Sequence, residues 1–309
     1  MTRRARSAGV TTLALALLAS GCSIKRLAVN KVGDAIASSG SGYESDEDPE
    51  LVGEALPFSL KLLESLLAES PRHAGMLLAA CKGFTSYSYA YVDREAELAL
   101  DQDLDRGLAL ELRARKLYLR ALGYGLRGLE LRHPGLSANL LADPEVAVAA
   151  VEERDVPLLY WSAASLGLGI SVSLSDAAMV ARLPEVDALL DRALALDPDW
   201  QDGALHEFAI QLESARPLVS GGRDALRPHF ERALELSHGD RASVYLAWAE
   251  SVSVKEQNLP EFRSLLAEAL AIDPDRRTEL RLSNLLAQRR ARWLLDRTDE
   301  LFLEAGDAP

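Results

Sequence analysis

The chain has 309 residues, 48% of them hydrophobic and 6% aromatic, with 34 Lys+Arg against 47 Asp+Glu and a formal net charge of -13. That length predicts one large or two ordinary domains, and the apolar fraction excludes global disorder. The acidic balance argues against nucleic-acid binding, which rests on Lys and Arg neutralising phosphates, and two cysteines cannot build a disulfide scaffold.

In chain order, Arg3, Arg4 and Arg6 form a positive segment ahead of a short apolar run from Val10 to Leu18. The run is too short for a stop-transfer helix and reads as a signal peptide over residues 1–21. Its end, Leu18-Ala19-Ser20-Gly21-Cys22, resembles a bacterial lipobox, with Ala19 where the commonest pattern has leucine. The resemblance implies that Cys22 is lipidated and becomes the mature N-terminus, anchored by its acyl chains. Ser23, in place of a retention aspartate, favours the outer membrane with the body facing the periplasm. Removing residues 1–21, which carry three arginines and no acid, takes the charge from -13 to -16.

Residues 22–49 are expected to be a lipidated flexible tether, because Ser38–Pro49 is Gly/Ser-rich and then acidic, with little to bury. Residues 50–309 are expected to form the folded domain, and its pattern is helical. Leu56, Leu60, Leu63 and Leu67 recur at helical spacing, as do Leu189, Ala193 and Leu196, and Leu265, Ala269 and Ile272. The best strand candidate, Ile170–Leu174, has helical flanks and reads as helix or loop. Cys81 lies in an apolar run and reads as a buried, inert thiol.

Helices close in a similar way at Pro71, Pro134, Pro198, His238 and Pro274. Proline cannot continue a helix and forces the turn into the next. Ala193 and Ala269 sit five residues before their prolines, where paired helices need a small side chain. Asp199 and Asp275 are placed to favour the following helix N-terminus. This spacing resembles the tetratricopeptide (TPR) repeat and predicts an all-α, TPR-like superhelix of degenerate repeats.

Two signals for chemistry fail on context. Gly123-Tyr124-Gly125-Leu126-Arg127-Gly128 spells GxGxxG, but it continues a helix instead of following a strand, so its glycines read as helix-packing residues. Asp101–Gly107 begins like a calcium loop, yet its glycine falls at position seven and Leu112 at position twelve. His73, His133, His206, His229 and His238 form no zinc spacing. No metal, cofactor or catalytic residue is therefore expected.

The segments HFERALELS, FRSLLAEALAIDPD and LRLSNLLAQRRARWLLDRTDELF (280–302), with LLYWSAASLG (158–167) and RALALDPDWQDGALHEF (192–208), resemble the TRAP-transporter T-component family. These are TPR-like periplasmic lipoproteins of tripartite ATP-independent periplasmic transporters. The resemblance implies a homotrimer with a pore or cleft that works with the extracytoplasmic solute-binding protein. It also implies an apolar or amphiphilic solute, an organic acid or a lipid-like compound among them. Tyr160, Trp161, Trp200 and Phe208 are candidate ligand contacts, with His206 as an orienting polar group. Arg289, Arg290 and Arg292 are candidate partner contacts, and Asn284 and Trp293 are expected to pin the terminal helix. The alternative reading is a TPR lipoprotein scaffold in envelope or outer-membrane assembly.

Overall fold

The computed structural model describes residues 27–37, 40–214, 216 and 222–303, and the regular elements among them are all helical. The signal segment and Cys22 lie outside the described residues. Within the stretch expected to be a tether, 27–37 form a helix (α1) and Gly40–Glu44 a second (α2). This stretch also touches the body. Tyr43 shares a 2.7 Å hydrogen bond with Ser59, Glu44 pairs with Lys82, and the Ser45 carbonyl accepts from Arg281 at 2.9 Å.

Helix α3 (Pro49–Glu69) starts where the Asp48 carboxylate accepts from the Leu51 N–H and Pro49 presets the first turn. Of the predicted stripe it buries Leu60, Leu63 and Leu67, with Leu56 half-buried. Helix α4 (Ala74–Tyr87), a π-helical turn (Ser88–Asp93) and α5 (Arg94–Leu100) make one rod. Asp103 caps α6 (Leu104–Glu130), which returns antiparallel beside that rod, and Asp101 pairs with Arg297. Short helices α7 (Leu136–Ala142) and α8 (Pro144–Val148) lead to α9 (Val156–Ser171). Apolar on nearly every face, α9 buries Leu158, Leu159, Leu166 and Ile170, and it runs through Ser171 where a strand was conceivable.

After α10 (Ala177–Val180) come α11 (Leu183–Leu196), α12 (Trp200–Ser214), α13 (Gly222–Leu236), α14 (Ala242–Trp248), a second π-helical turn (Ala249–Ser253), α15 (Leu259–Ala271), α16 (Arg281–Asp296) and α17 (Thr298–Leu301). The predicted helix ends fall where expected: α3, α6, α11, α13 and α15 stop two to four residues before Pro71, Pro134, Pro198, His238 and Pro274. Ala193 and Ala269 are fully buried, as close helix approach requires. The capping roles differ from expectation. Asp199 pairs with Arg232 and Asp275 with Arg281, so each carboxylate is engaged by a guanidinium. Asn284 does pin α16: buried, it donates to the Asp240 carbonyl at 2.9 Å and accepts from the Ala242 N–H at 3.0 Å.

The GxGxxG segment lies inside α6 and packs it on α9. A Cβ at Gly125 would sit 2.3 Å from Ser162 Oγ and 2.9 Å from Cys81 Sγ, and one at Gly128 would sit 2.7 Å from Leu158, whereas Gly123 faces open space. The Cys81 thiol is buried here, and desolvation pushes its pKa up to about 12. Gly125→Ala should destabilise by about 1–3 kcal/mol through overpacking. Gly123→Ala should stabilise by about 0.5–1 kcal/mol through backbone entropy. Urea denaturation followed by circular dichroism measures both.

Candidate functional site

Three of the predicted aromatics converge on the fourth. The Tyr160 ring of α9 lies 5.0 Å from Trp161, 4.7 Å from Trp200 and 6.0 Å from Phe208, between ring centroids. Phe208 is buried and fills the space left by the absent side chain of Gly167. Trp161 is half-buried with Lys82 Nζ 5.9 Å above its ring. Trp200 is presented by strained backbone. Gln201, Asp202 and Gly203 have φ values of 45°, 54° and 90°, a left-handed turn that costs about 1–2 kcal/mol per non-glycine residue. Arg277 holds the Asp202 carboxylate at 2.7 Å and Arg241 the Gln201 carbonyl at 2.8 Å, while Gly203 abuts Ala233 too closely for a Cβ.

His206 is bound elsewhere. Its Nδ1 lies 2.8 Å from Nδ1 of His229, so one proton is shared between α12 and α13. Desolvation lowers both imidazole pKa values, that of His206 to about 4, with His229 adding to the effect there.

A second set of groups adjoins the aromatics and was not singled out by sequence. It springs from the two π-helical turns, whose extra residue per turn re-aims neighbouring side chains and which recur at functional sites. From the first come Tyr89 and, one turn on, Arg94 and Glu97; from the second comes Glu250. Arg94 stacks over the Tyr89 ring at 4.8 Å and donates to Glu97 at 2.9 Å. Arg290 of α16 grips Glu97 through two hydrogen bonds of 2.5 and 2.9 Å and Glu250 through its Nη2 at 2.7 Å and its Nε at 3.3 and 3.4 Å. Glu207 of α12 accepts from Gln211 at 3.0 Å and lies 3.9 Å from Arg241.

Electrostatics tie this charged set to the aromatic one. Desolvation raises the Tyr89 pKa, with Arg94, Glu250, Arg290 and Glu207 all acting on it. Desolvation likewise raises that of Tyr160, with Glu207 and Arg241 acting on it. Desolvation also raises the Glu207 and Asp93 carboxyls. Desolvation alone would lower the Arg94 pKa, but Tyr89, Glu250, Glu97 and Asp93 outweigh it.

Of the eight tyrosines, Tyr89 and Tyr160 are the two whose hydroxyls have no hydrogen-bond partner among the described residues. Both side chains keep some solvent-accessible surface although they are strongly desolvated. An unpaired phenol that keeps contact with solvent is free to bond a group from outside the protein. The two hydroxyls, the Glu207 and Arg241 pair, and the rings of Trp161 and Trp200 form a tract with polar and apolar portions.

The three predicted partner-contact arginines diverge, since successive helical positions are turned by about 100°. Arg289 pairs with Glu50 at the surface, Arg290 turns inward, and Arg292 is exposed without an ion pair among the described residues. Trp293 lies between Arg290 and Arg297, 4.1 and 4.6 Å from its ring, in a cleft of about 320 Å³ that also holds Glu97, Asp101 and Glu250. Among the described residues no group of three or more His, Cys, Asp or Glu is placed to hold a metal, and no helix is long and apolar enough to cross a membrane.

Two variants separate the arginine roles in urea denaturation. Arg290→Ala leaves Glu97 with Arg94 alone and Glu250 without a hydrogen-bond partner among the described residues, and should cost about 1–3 kcal/mol, whereas Arg289→Ala removes an exposed pair and should cost under about 1 kcal/mol. The histidine pair makes stability pH-dependent. Its folded pKa values lie below the unfolded value of 6.5, so the unfolded state binds more protons between pH 6.5 and about 4. Stability is complete above that window and falls by about 1–3 kcal/mol as pH drops through it. Replacing both histidines by phenylalanine should flatten the melting temperature across the same range.

The sequence model described as TRAP transporter T-component matches residues 45–302. An uncharacterized protein of Treponema pallidum (strain Nichols) is 29% identical over 311 residues, covering 93% of this chain and 95% of its own length.

Proposed function

The chain belongs to the TRAP transporter T-component family, and from that premise we propose that it is a lipid-anchored, periplasm-facing accessory that presents a small amphiphilic solute to a TRAP transporter's extracytoplasmic solute-binding protein. The observation that carries the solute-binding part is the pair of unpartnered hydroxyls on Tyr89 and Tyr160, set beside the rings of Trp161 and Trp200. Ligand pockets combine an apolar wall with a few placed polar groups, and this tract has both. Its amphiphilic character favours a solute with an apolar body and a hydrogen-bonding head.

The helices are read as TPR-like repeats, supported by the similar helix endings and by the buried alanines at Ala193 and Ala269. Such repeats offer concave surfaces to protein partners. A homotrimer follows from the family resemblance, and exposed Arg292 is available for a partner contact. The role is transport, not catalysis. Cys22 is the anchor, with the outer membrane favoured by Ser23.

Native mass spectrometry of protein purified from its own membranes should detect a co-purifying small molecule. The double variant Tyr89→Phe/Tyr160→Phe should weaken its binding by about tenfold or more, since two hydrogen bonds are lost. Its melting temperature and oligomeric state should be unchanged. A tract empty of ligand under all growth conditions, or a double variant that binds as well as the original, would defeat the solute-binding reading. Affinity capture that never recovers a transporter subunit would defeat the partnership.

A further inference from the structure

We infer that α1 is a docked arm that holds the Glu69–Gly75 end of the molecule against an anionic lipid surface, instead of opening a long tether. The inference rests on the reading of Cys22 as the lipid anchor.

The arm has a fitted seat. A Cβ at Gly33 would come within 2.6 Å of the Met76 sulfur, and one at Gly75 within 3.3 Å of Ala37, so both contacts exploit missing side chains. Ile36 packs against the apolar cluster of Leu60, Leu63 and Met76. His73 locks the junction. Its Nδ1 accepts from the Met76 N–H at 3.2 Å as the cap of α4, which leaves the proton on Nε2 to be donated to Asp34 at 3.2 Å. Residues of α1 and of the α3–α4 turn line one shared cleft of about 630 Å³.

Chain length turns this seat into an orientation. Cys22 and residue 27 are five residues apart, so an extended chain between them spans at most about 17 Å, against about 95 Å for the 27 residues from Cys22 to Pro49. A docked α1 therefore places its own end of the protein close to the bilayer.

The chemistry of that end suits such a neighbour. Lys25 and Arg26 follow the anchor in sequence, and Lys31, Arg72 and Arg127 are exposed near the seat, against the acids Asp34 and Glu69. This basic group stands out in a chain of net charge -13. Leu27 and Val32 of the arm are also exposed, 61% and 49%, where an interfacial helix would rest on headgroups.

The test uses the full lipidated protein in phosphatidylethanolamine–phosphatidylglycerol vesicles whose headgroups carry an acceptor dye. A donor is placed through Arg72→Cys or, at the far end of α3, through Leu51→Cys; the buried Cys81 does not interfere. Because α3 is about 30 Å long, energy transfer should be about twofold or more stronger from position 72 than from 51. Gly33→Leu, which fills the seat, should equalise the two without lowering the melting temperature of the body. Exchanging phosphatidylglycerol for phosphatidylcholine should weaken transfer from position 72. Equal transfer from both positions in the unaltered lipidated protein would overturn the docked arm and leave the lipoprotein reading intact. Indifference to headgroup charge would overturn the anionic surface. A mature protein without a diacylglyceryl mass on Cys22 would instead overturn the anchor, and this inference with it.

Discussion

The Arg290 guanidinium closes the molecule. Buried apolar clusters run along the chain in overlapping steps, from Leu60–Phe84 through α6, α9 and α11 to α12, then from Ile210 through Trp248 to the terminal helix. No such cluster joins the last helix to the first ones among the described residues. That seam is polar. Arg281 reaches the Ser45 carbonyl, Arg289 reaches Glu50, Arg290 reaches Glu97, and Arg297 reaches Asp101. Arg290 is the most enclosed of these, and it also holds Glu250. Exposed pairs contribute little each, so the enclosed fork carries most of the closure.

The tract of Tyr89 and Tyr160 depends on that closure. Tyr89, Arg94 and Glu97 come from the first half of the chain, whereas Glu207, Arg241, Glu250 and Arg290 come from the second. Their mutual influence exists because the two halves are brought face to face. Three devices aim them there, all locally unfavourable: two π-helical turns and the left-handed turn at Gln201–Gly203. Surrounding ion pairs hold the strained turn in place, most directly Arg277 with Asp202. A chain selected for stability alone gains nothing from such features. They are expected where side chains must be presented to something outside the protein.

Arrangement along the chain also separates the clefts in space. The α1 arm lies at the α3–α4 turn, while the cleft beside Trp293 lies at the junction of α5 with α16. The tract of Tyr89 and Tyr160 is built from still other elements.

The helices were legible from sequence because apolar periodicity and proline stops are local properties. Leu60, Leu63 and Leu67 declared a buried face, and the same prolines that end α3, α11 and α15 set their boundaries. The family was legible too, since the Asn284–Trp293 region is distinctive, and Asn284 proved to be the buried pin of α16. The aromatics around Tyr160 were nameable as a type, because large rings in a helical chain are few. Sequence does not show that His206 also has His229, 23 residues on, as a hydrogen-bond partner. Tyr89, Glu97, Glu207 and Glu250 carried no signal at all, being ordinary residues on ordinary-looking helices. Only tertiary structure decided their roles, because an ion pair across 193 residues, such as Glu97 with Arg290, depends on chain closure and leaves no local pattern.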